Sequence, residues 1–97
     1  MEDESKQKTL ERVITIRNKW GMHARAAALF RDCAARYKAD ITVVREHMKA
    51  NAKSLLGLIA LGASQGTVLK IEAKGEDAVL ALDALENLVN SMFQEKE

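Results

Sequence analysis

The sequence predicts an α+β domain in which a four-stranded antiparallel sheet is covered on one face by three helices, in the order βαββαβα. Several short segments alternate apolar and polar residues, as half-buried strands do. Other segments place apolar residues every three or four positions, as amphipathic helices do. A chain of 97 residues suits one domain with one modest core.

The first half of the chain supplies two strands and a long helix. Residues 1–10 are charged and have no apolar period, so we expect a flexible extension before a domain of residues 11–97. ERVITIR places Ile14 and Ile16 on one face of a first strand. A three-four apolar spacing predicts a helix over residues 24–38, and ITVVRE predicts the second strand.

The second half of the chain supplies two further strands and two further helices. HMKANA predicts a turn and a weak edge strand, and TVLKIEA predicts the last strand. Ser54 followed by LLGLIALG predicts a short serine-capped helix that stops at Gly62. That segment has too many apolar residues for one buried stripe, so we expect some of them to face solvent. An apolar stripe over residues 76–92 predicts the final helix.

Composition narrows the class of function. With 15 basic and 14 acidic residues the net charge is +1, which does not indicate nucleic-acid binding. The single cysteine, Cys33, cannot form an internal disulfide. No long apolar run or signal-peptide pattern occurs, so we expect a cytoplasmic protein without membrane insertion. His47 has no metal-ligand partner at suitable spacing and no phosphate-binding glycine motif is present, so we expect neither metal nor cofactor.

The stretch GMHARAAALF places a histidine and an arginine at the start of a predicted helix. Gly21 interrupts the chain and AAALF favours a helix, so His23 and Arg25 lie where the loop becomes the helix. A helix start has unpaired backbone N–H groups and a partial positive charge, which together favour a bound anion.

A phosphoryl group is an anion that a histidine could accept covalently. The positive end of the helix disfavours the imidazolium form and keeps His23 available as a nucleophile. Arg25 and the first-turn N–H groups could receive the phosphate oxygens, and the small Ala26 and Ala27 leave room for them. Histidines near helix starts are common, however, and the residues alone favour an ordinary exposed or structural histidine.

Two motifs in register resemble those of the HPr family, the histidine phosphocarriers of the bacterial phosphoenolpyruvate-dependent phosphotransferase system. GMHARAAALF resembles the family's active-site motif, and NAKSLLGLIALGASQGTVLKIEAKGED is similar to its second signature. The separation of His23 from Ser54 agrees with the family without a gap, and the resemblance runs from about residue 12 to residue 92. It implies an open-faced β-sandwich of four antiparallel strands and three helices.

The resemblance also implies roles for individual residues. His23 would be phosphorylated on the ring nitrogen that faces the helix start, Arg25 would stabilise the phosphate, and Ser54 would be a regulatory phosphorylation site. Enzyme I would donate the phosphoryl group and an enzyme IIA protein would accept it. An HPr kinase/phosphorylase and a transcription regulator are further partners that the family suggests. The chain would be a monomeric, stoichiometric carrier with a phosphohistidine intermediate rather than a free-standing enzyme.

The sequence departs from the family pattern at two positions beside the motif. Ala26 stands where the family usually has proline, and it therefore retains a backbone N–H. Trp20 stands where a small or polar residue is more usual, and it could alter the rim of the partner surface. We expect function to survive both changes.

A partner-binding surface is predicted around the two motifs. Its candidates are small or apolar residues beside His23 and Ser54: Met22, Ala24, Ala26, Leu55, Leu56 and Ile59. The apolar residues after Ser54 could equally belong to the core of an undersized helix. Ser54 could likewise be only a helix cap, and the two roles are compatible.

Two other functions remain open. One is a nitrogen-branch phosphocarrier, which serves a regulatory enzyme IIA instead of sugar uptake; GMHARAA fits either branch, while KSLLGL favours the serine-regulated type. The other is a regulatory binding module that acts through Ser54 and has a silent histidine. The presence of both His23 and Arg25 disfavours the second alternative.

Overall fold

A computed structural model describes residues 8–95 of the chain, and its elements follow the predicted order. They are β1 (Thr9–Thr15), α1 (Ala24–Ala35), β2 (Asp40–Arg45), β3 (Met48–Asn51), α2 (Leu55–Ala60), β4 (Val68–Lys74), α3 (Ala78–Asn90) and a 3-10 turn at Met92–Gln94. Within the described residues, four strands and three α-helices form the predicted α+β open-faced sandwich, which confirms the fold class.

The strands form one sheet in the order β1-β4-β2-β3, and every neighbouring pair is antiparallel. The predicted weak edge strand is confirmed as β3, which pairs on one side with β2. Strand β1 begins at Thr9, two residues before the predicted domain boundary. Residues 1–7, the rest of the predicted flexible extension, lie outside the described residues.

The core lies between one face of the sheet and the three helices. Successive side chains of a strand face opposite sides of the sheet, so every second residue of each strand points into the core. The inward side chains that are at most 2% exposed include Ile16, Ile41, Val43, Leu69 and Ile71 from the sheet segments, and Phe30, Leu58, Leu82 and Leu85 from the helices. Cys33 is a buried residue of this core, as predicted, and burial raises the pKa of its thiol.

Helix α1 ends three residues earlier than the sequence predicts. After Ala35, the N–H of Arg36 bonds to the carbonyl three residues back (3.2 Å), which tightens the last turn. The backbone N–H groups of Lys38 and Ala39 then donate to the carboxylate of Asp77 at 2.8 and 2.9 Å. These bonds fasten the chain to the start of α3, so a longer α1 would lose them.

Helix α2 has six residues, too few to be stable in isolation, and contacts at both ends hold it. At its start, the hydroxyl of Ser54 accepts a hydrogen bond from the N–H of Gly57 (3.1 Å). At its end, the guanidinium of Arg45 on β2 donates to the carbonyl of Leu61 (2.6 Å). The strand therefore supplies a partner for a helix-end carbonyl that has none within the helix.

The chain after α3 takes an unusual backbone path. Met92, Phe93 and Gln94 have φ values of 56°, 55° and 64°, in the left-handed region that is unfavourable for residues with a side chain. Phe93 is fully buried, so core packing supports this turn. The turn brings Glu95 back toward the start of α1. The sequence predicts an ordinary helix up to residue 92, and the structure ends it at Asn90.

No helix within residues 8–95 is long and apolar enough to cross a membrane.

Candidate functional site

His23 occupies the N-cap position of α1, the place that the sequence predicts. Its φ and ψ are −71° and 177°, and its carbonyl accepts the first helical bond from the N–H of Ala27 (2.8 Å). Its ring nitrogen Nδ1 accepts a hydrogen bond from the backbone N–H of Arg25 at 3.3 Å. One ring nitrogen therefore faces the first turn of the helix.

The loop before His23 is fixed by its glycine and by a buried methionine. Gly21 has a φ of 64°, and a Cβ there would lie 2.5 Å from the carbonyl oxygen of Ala63. The N–H of Met22 donates to that same carbonyl (2.8 Å), and the Met22 side chain is 5% exposed. Only glycine permits both the left-handed turn and this close approach, so the loop delivers His23 to the helix start.

The second ring nitrogen of His23 faces a carboxylate. Nε2 lies 3.1 and 3.3 Å from the two carboxylate oxygens of Glu95. The side-chain amide of Asn18 donates to Glu95 (2.9 Å) and to the carbonyl of Gly21 (2.8 Å), and Asn18 is fully buried. The imidazole therefore lies between the helix start and a carboxylate that a buried amide holds in place.

Charge at the site is unevenly distributed. The hydrogen bond from His23 lowers the pKa of Glu95, with smaller contributions from the Asn18 amide and the positive charge of Arg25. The side chain of His23 is 33% exposed, whereas that of Glu95 is 12% exposed. Arg25 is exposed, and the first turn of α1 contains no acidic residue. A negatively charged group on the helix side of the ring would meet the backbone N–H groups of the first turn of α1.

Ser54 is the N-cap of α2, and the structure confirms the predicted cap. Its half-buried side chain accepts the hydrogen bond from Gly57 described above. A Cβ on Gly57 would lie 3.2 Å from the Ser54 hydroxyl and 3.3 Å from the Cβ of Ala50. The glycine therefore provides the space in which the cap forms.

The predicted partner surface is only partly exposed. Leu56 is 80% exposed and Ile59 is 39% exposed, whereas Leu55 is half-buried against the core. Ala24 is exposed at the start of α1. Trp20, 68% exposed, lies in the loop before Gly21.

Two members of that predicted surface have buried side chains in the structure. Met22 is 5% exposed because its side chain packs in the core below the loop. Ala26 is 1% exposed because it lies on the inward face of α1. The candidates whose side chains are exposed are therefore Ala24, Leu56 and Ile59.

Sequence reasoning missed Asn18 and Glu95. Asn18 lies in the polar loop segment NKWG, and Glu95 lies in the charged segment QEKE, so neither stands out in the pattern. The two residues are 77 positions apart. The only available signal was an asparagine next to a predicted buried strand, which often needs a polar partner.

The fold and site define a class of small protein that presents a histidine and an arginine at a helix start on an open-faced sandwich. The chain matches the family described as "PTS HPr component phosphorylation site" over residues 10–91. It belongs to the HPr family of phosphocarriers of the phosphotransferase system.

Individual relatives agree with this assignment. The chain is 40% identical over 88 residues to the phosphocarrier protein HPr of Neisseria meningitidis, covering 91% of this chain and 99% of that protein. It is 45% identical to the phosphocarrier protein NPr of Shewanella violacea, covering 89% and 94% of the two chains. The crystal structure of HPr-C-His from Thermoanaerobacter tengcongensis superposes with a TM-score of 0.88 at 44% identity, covering 91% and 99%.

Proposed function

We propose that His23 accepts a phosphoryl group from enzyme I through Nδ1 and passes it to an enzyme IIA protein. The observation that carries this proposal is the orientation of the ring, whose Nδ1 faces the first turn of α1 at 3.3 Å from the Arg25 N–H. Membership of the HPr family supports the same chemistry. The chain would act as a monomeric carrier in the cytoplasm, without a cofactor.

The helix start supplies the groups that phosphate would need. As the Nδ1 lone pair bonds to phosphorus, the donor–phosphorus bond breaks and the donor keeps the bonding pair. The N–H of Arg25 then turns from Nδ1 to a phosphate oxygen, which is a stronger, charge-assisted acceptor. Ala26 adds an N–H that proline would lack, and the exposed guanidinium of Arg25 can balance the new charge.

The reverse step requires no new group. An acceptor histidine or other nucleophile on the enzyme IIA protein would approach over the exposed side of the ring, and the phosphorus–Nδ1 bond would break toward His23. Transfer in both directions depends on positioning and charge matching rather than on a further reacting group of this chain.

Ser54 is the proposed site of regulation by an HPr kinase/phosphorylase. A phosphate on an N-cap is compatible with the helix, because its oxygens can accept the N–H bonds that the hydroxyl now accepts. The added charge would lie at the start of the helix that carries the exposed Leu56 and Ile59. Partners that dock on this apolar surface would be weakened, and a partner with a basic pocket, such as a transcription regulator, would be recruited.

Phosphorylation by purified enzyme I and phosphoenolpyruvate tests the proposed carrier. We expect an acid-labile phosphate on the wild-type protein and none on His23→Ala. His47→Ala is the matched control, because His47 is exposed in the turn between β2 and β3 and should not alter labelling. Acid-stable label on Ser54 without any label on His23 would instead support a regulatory binding module.

A nitrogen-branch carrier is the second candidate function. The observation that favours it is the 45% identity to the NPr of Shewanella violacea. Phosphorylated protein offered to a sugar-specific enzyme IIA and to a nitrogen-regulatory enzyme IIA separates the two branches. We expect faster transfer to the sugar-specific protein, and preference for the other acceptor would assign the nitrogen branch.

A further inference from the structure

We propose that Glu95 is a positioning residue for phosphoryl transfer, which orients the imidazole of His23 and stabilises the charge that the ring acquires as Nδ1 bonds to phosphorus. Asn18 holds Glu95 in this place. The inference rests on the proposed function, because it assigns a partner to the reacting ring.

Both ring contacts specify the same form of the neutral imidazole. An ionised carboxylate only accepts hydrogen bonds, so the contact between Glu95 and Nε2 requires the hydrogen on Nε2. The backbone N–H of Arg25 only donates, so its contact requires a lone pair on Nδ1. The ring therefore presents its nucleophilic nitrogen on the side where the helix start can receive phosphate.

The carboxylate also matches the change in charge during the reaction. When Nδ1 gives its electron pair to phosphorus, the ring becomes an imidazolium that still carries its hydrogen on Nε2. That hydrogen remains in the bond to Glu95, and no other proton needs to move. Glu95 is 12% exposed, so water screens this interaction less than it would on an open surface.

Asn18 is a fully buried polar residue that holds the Glu95 carboxylate in position. Both of its donated hydrogen bonds end on oxygen, one on Glu95 and one on the carbonyl of Gly21. Among the residues that the structure describes, its Oδ1 is the buried side-chain polar atom that lacks a hydrogen-bond partner. Rotating the amide by half a turn would place Oδ1 against the Gly21 carbonyl and the Glu95 carboxylate, which also only accept hydrogen bonds. This orientation is unfavourable, so the amide keeps its NH₂ group toward Glu95 and holds the carboxylate within reach of Nε2.

The backbone provides the second support. The left-handed turn of Met92–Gln94 buries Phe93 and directs Glu95 toward the imidazole of His23. Three successive residues with side chains in this conformation are unfavourable unless the surrounding structure holds them. The position of Glu95 is therefore fixed from both sides, by the buried aromatic ring before it and by the Asn18 amide.

A small donor separates this chemistry from protein docking. Phosphoramidate transfers its phosphoryl group with loss of ammonia. We expect Glu95→Gln to be phosphorylated on His23 about tenfold more slowly than the wild type, by analogy with carboxylates that orient metal-bound imidazoles. Glu95→Asp should recover part of the rate. Glu86→Gln is the matched control at the wild-type rate, because it removes a carboxylate that contacts Arg12 instead of the site. Equal rates for Glu95→Gln and wild type, or equal slowing by Glu86→Gln, would overturn the inference.

Kinetics with enzyme I complete the test. A positioning role predicts a lower kcat for Glu95→Gln with an unchanged KM. A docking role predicts a higher KM with an unchanged kcat, and that result would overturn the inference. Should Glu95→Gln fail to fold, nitrogen-15 spectra of wild-type His23 provide the test. In the neutral ring the hydrogen must be on Nε2, and a hydrogen on Nδ1 would overturn the inference. Absence of label on wild-type His23 would overturn the proposed function itself, whereas normal labelling of Glu95→Gln would overturn only this inference.

Discussion

The carboxylate of Glu95 lies 3.1 Å from Nε2 of His23, although 72 positions separate the two residues in the sequence. The contact ties the segment after α3 to the start of α1, and it gives the ring a partner on the side away from the helix. The nitrogen that faces the helix, Nδ1, is left with a single weak bond at 3.3 Å. One edge of the ring contacts a carboxylate, and the other contacts only one backbone N–H at the start of α1.

The contact between these residues should be visible as a pH effect. Because His23 lowers the pKa of Glu95, replacing His23 with alanine should return that pKa toward its ordinary value of 4.5. The stabilisation that Glu95 provides is present above that ordinary value and is lost as pH falls through the lowered pKa. Carbon-13 titration of the Glu95 carboxyl in wild type and His23→Ala measures the shift. Identical titration curves in the two proteins would show that the contact is absent in solution.

Arg25→Ala should slow phosphoryl transfer without unfolding the protein. The exposed guanidinium contributes charge at the helix start, and loss of such a donor costs at least about tenfold in rate. Because the side chain is exposed, the free energy of unfolding should change by less than about 0.5 kcal/mol. Rapid-quench labelling with enzyme I gives the rate. Arg36→Ala, an exposed arginine just after α1, serves as the control and should transfer at the wild-type rate.

Gly21→Ala should destabilise the protein and disturb the site together. The added Cβ would meet the Ala63 carbonyl at 2.5 Å in a left-handed backbone conformation, so we expect a loss of more than about 2 kcal/mol. Urea unfolding measures it. Gly66→Ala is the matched control, because Gly66 also has a positive φ (90°) but a Cβ there meets nothing within 4 Å. An equal loss in both variants would mean that conformation alone, rather than the contact with Ala63, fixes the loop.

Ser54→Ala should separate capping from phosphocarrier activity. Loss of the hydrogen bond to Gly57 should cost about 1 kcal/mol of stability, the usual effect of removing an N-cap. The rate of His23 phosphorylation from phosphoramidate should not change. Thermal unfolding measures the loss of stability, and the labelling assay measures the rate of His23 phosphorylation. The comparison variant is Ser64→Ala, an exposed serine outside any helix, which should shift stability by less than about 0.5 kcal/mol.

Leu56→Ala should weaken docking and leave the fold intact. Leu56 is 80% exposed on α2, so truncating it removes little core packing, but it removes apolar area from the proposed partner surface. We expect a several-fold increase in the KM of enzyme I for the carrier with an unchanged kcat. Leu80→Ala on α3, where the leucine is 63% exposed, is the control and should retain the wild-type KM. A wild-type KM for Leu56→Ala would place the docking surface elsewhere.

Much of the site was predictable because its signals are local. A glycine, a histidine and a run of helix formers specify the position of His23 at the start of α1, and Ser54 before an apolar run specifies a cap. Exposure was harder to predict, since it depends on which face of an element meets the core. Met22 is an apolar residue in the loop beside His23, and only its packing in the core shows that its side chain lies inside.

By itself, the sequence determined the order of strands and helices, the one-sided sheet and the helix-start histidine with its arginine, because each depends on spacing within a few residues. The tertiary structure alone decided that Glu95 contacts the ring of His23 and that Asn18 holds the Glu95 carboxylate. That meeting depends on a left-handed turn supported by the burial of Phe93, and on a buried amide that reaches across the chain. Contacts of this kind arise from the packing of distant segments and leave no periodic pattern in the residues that make them.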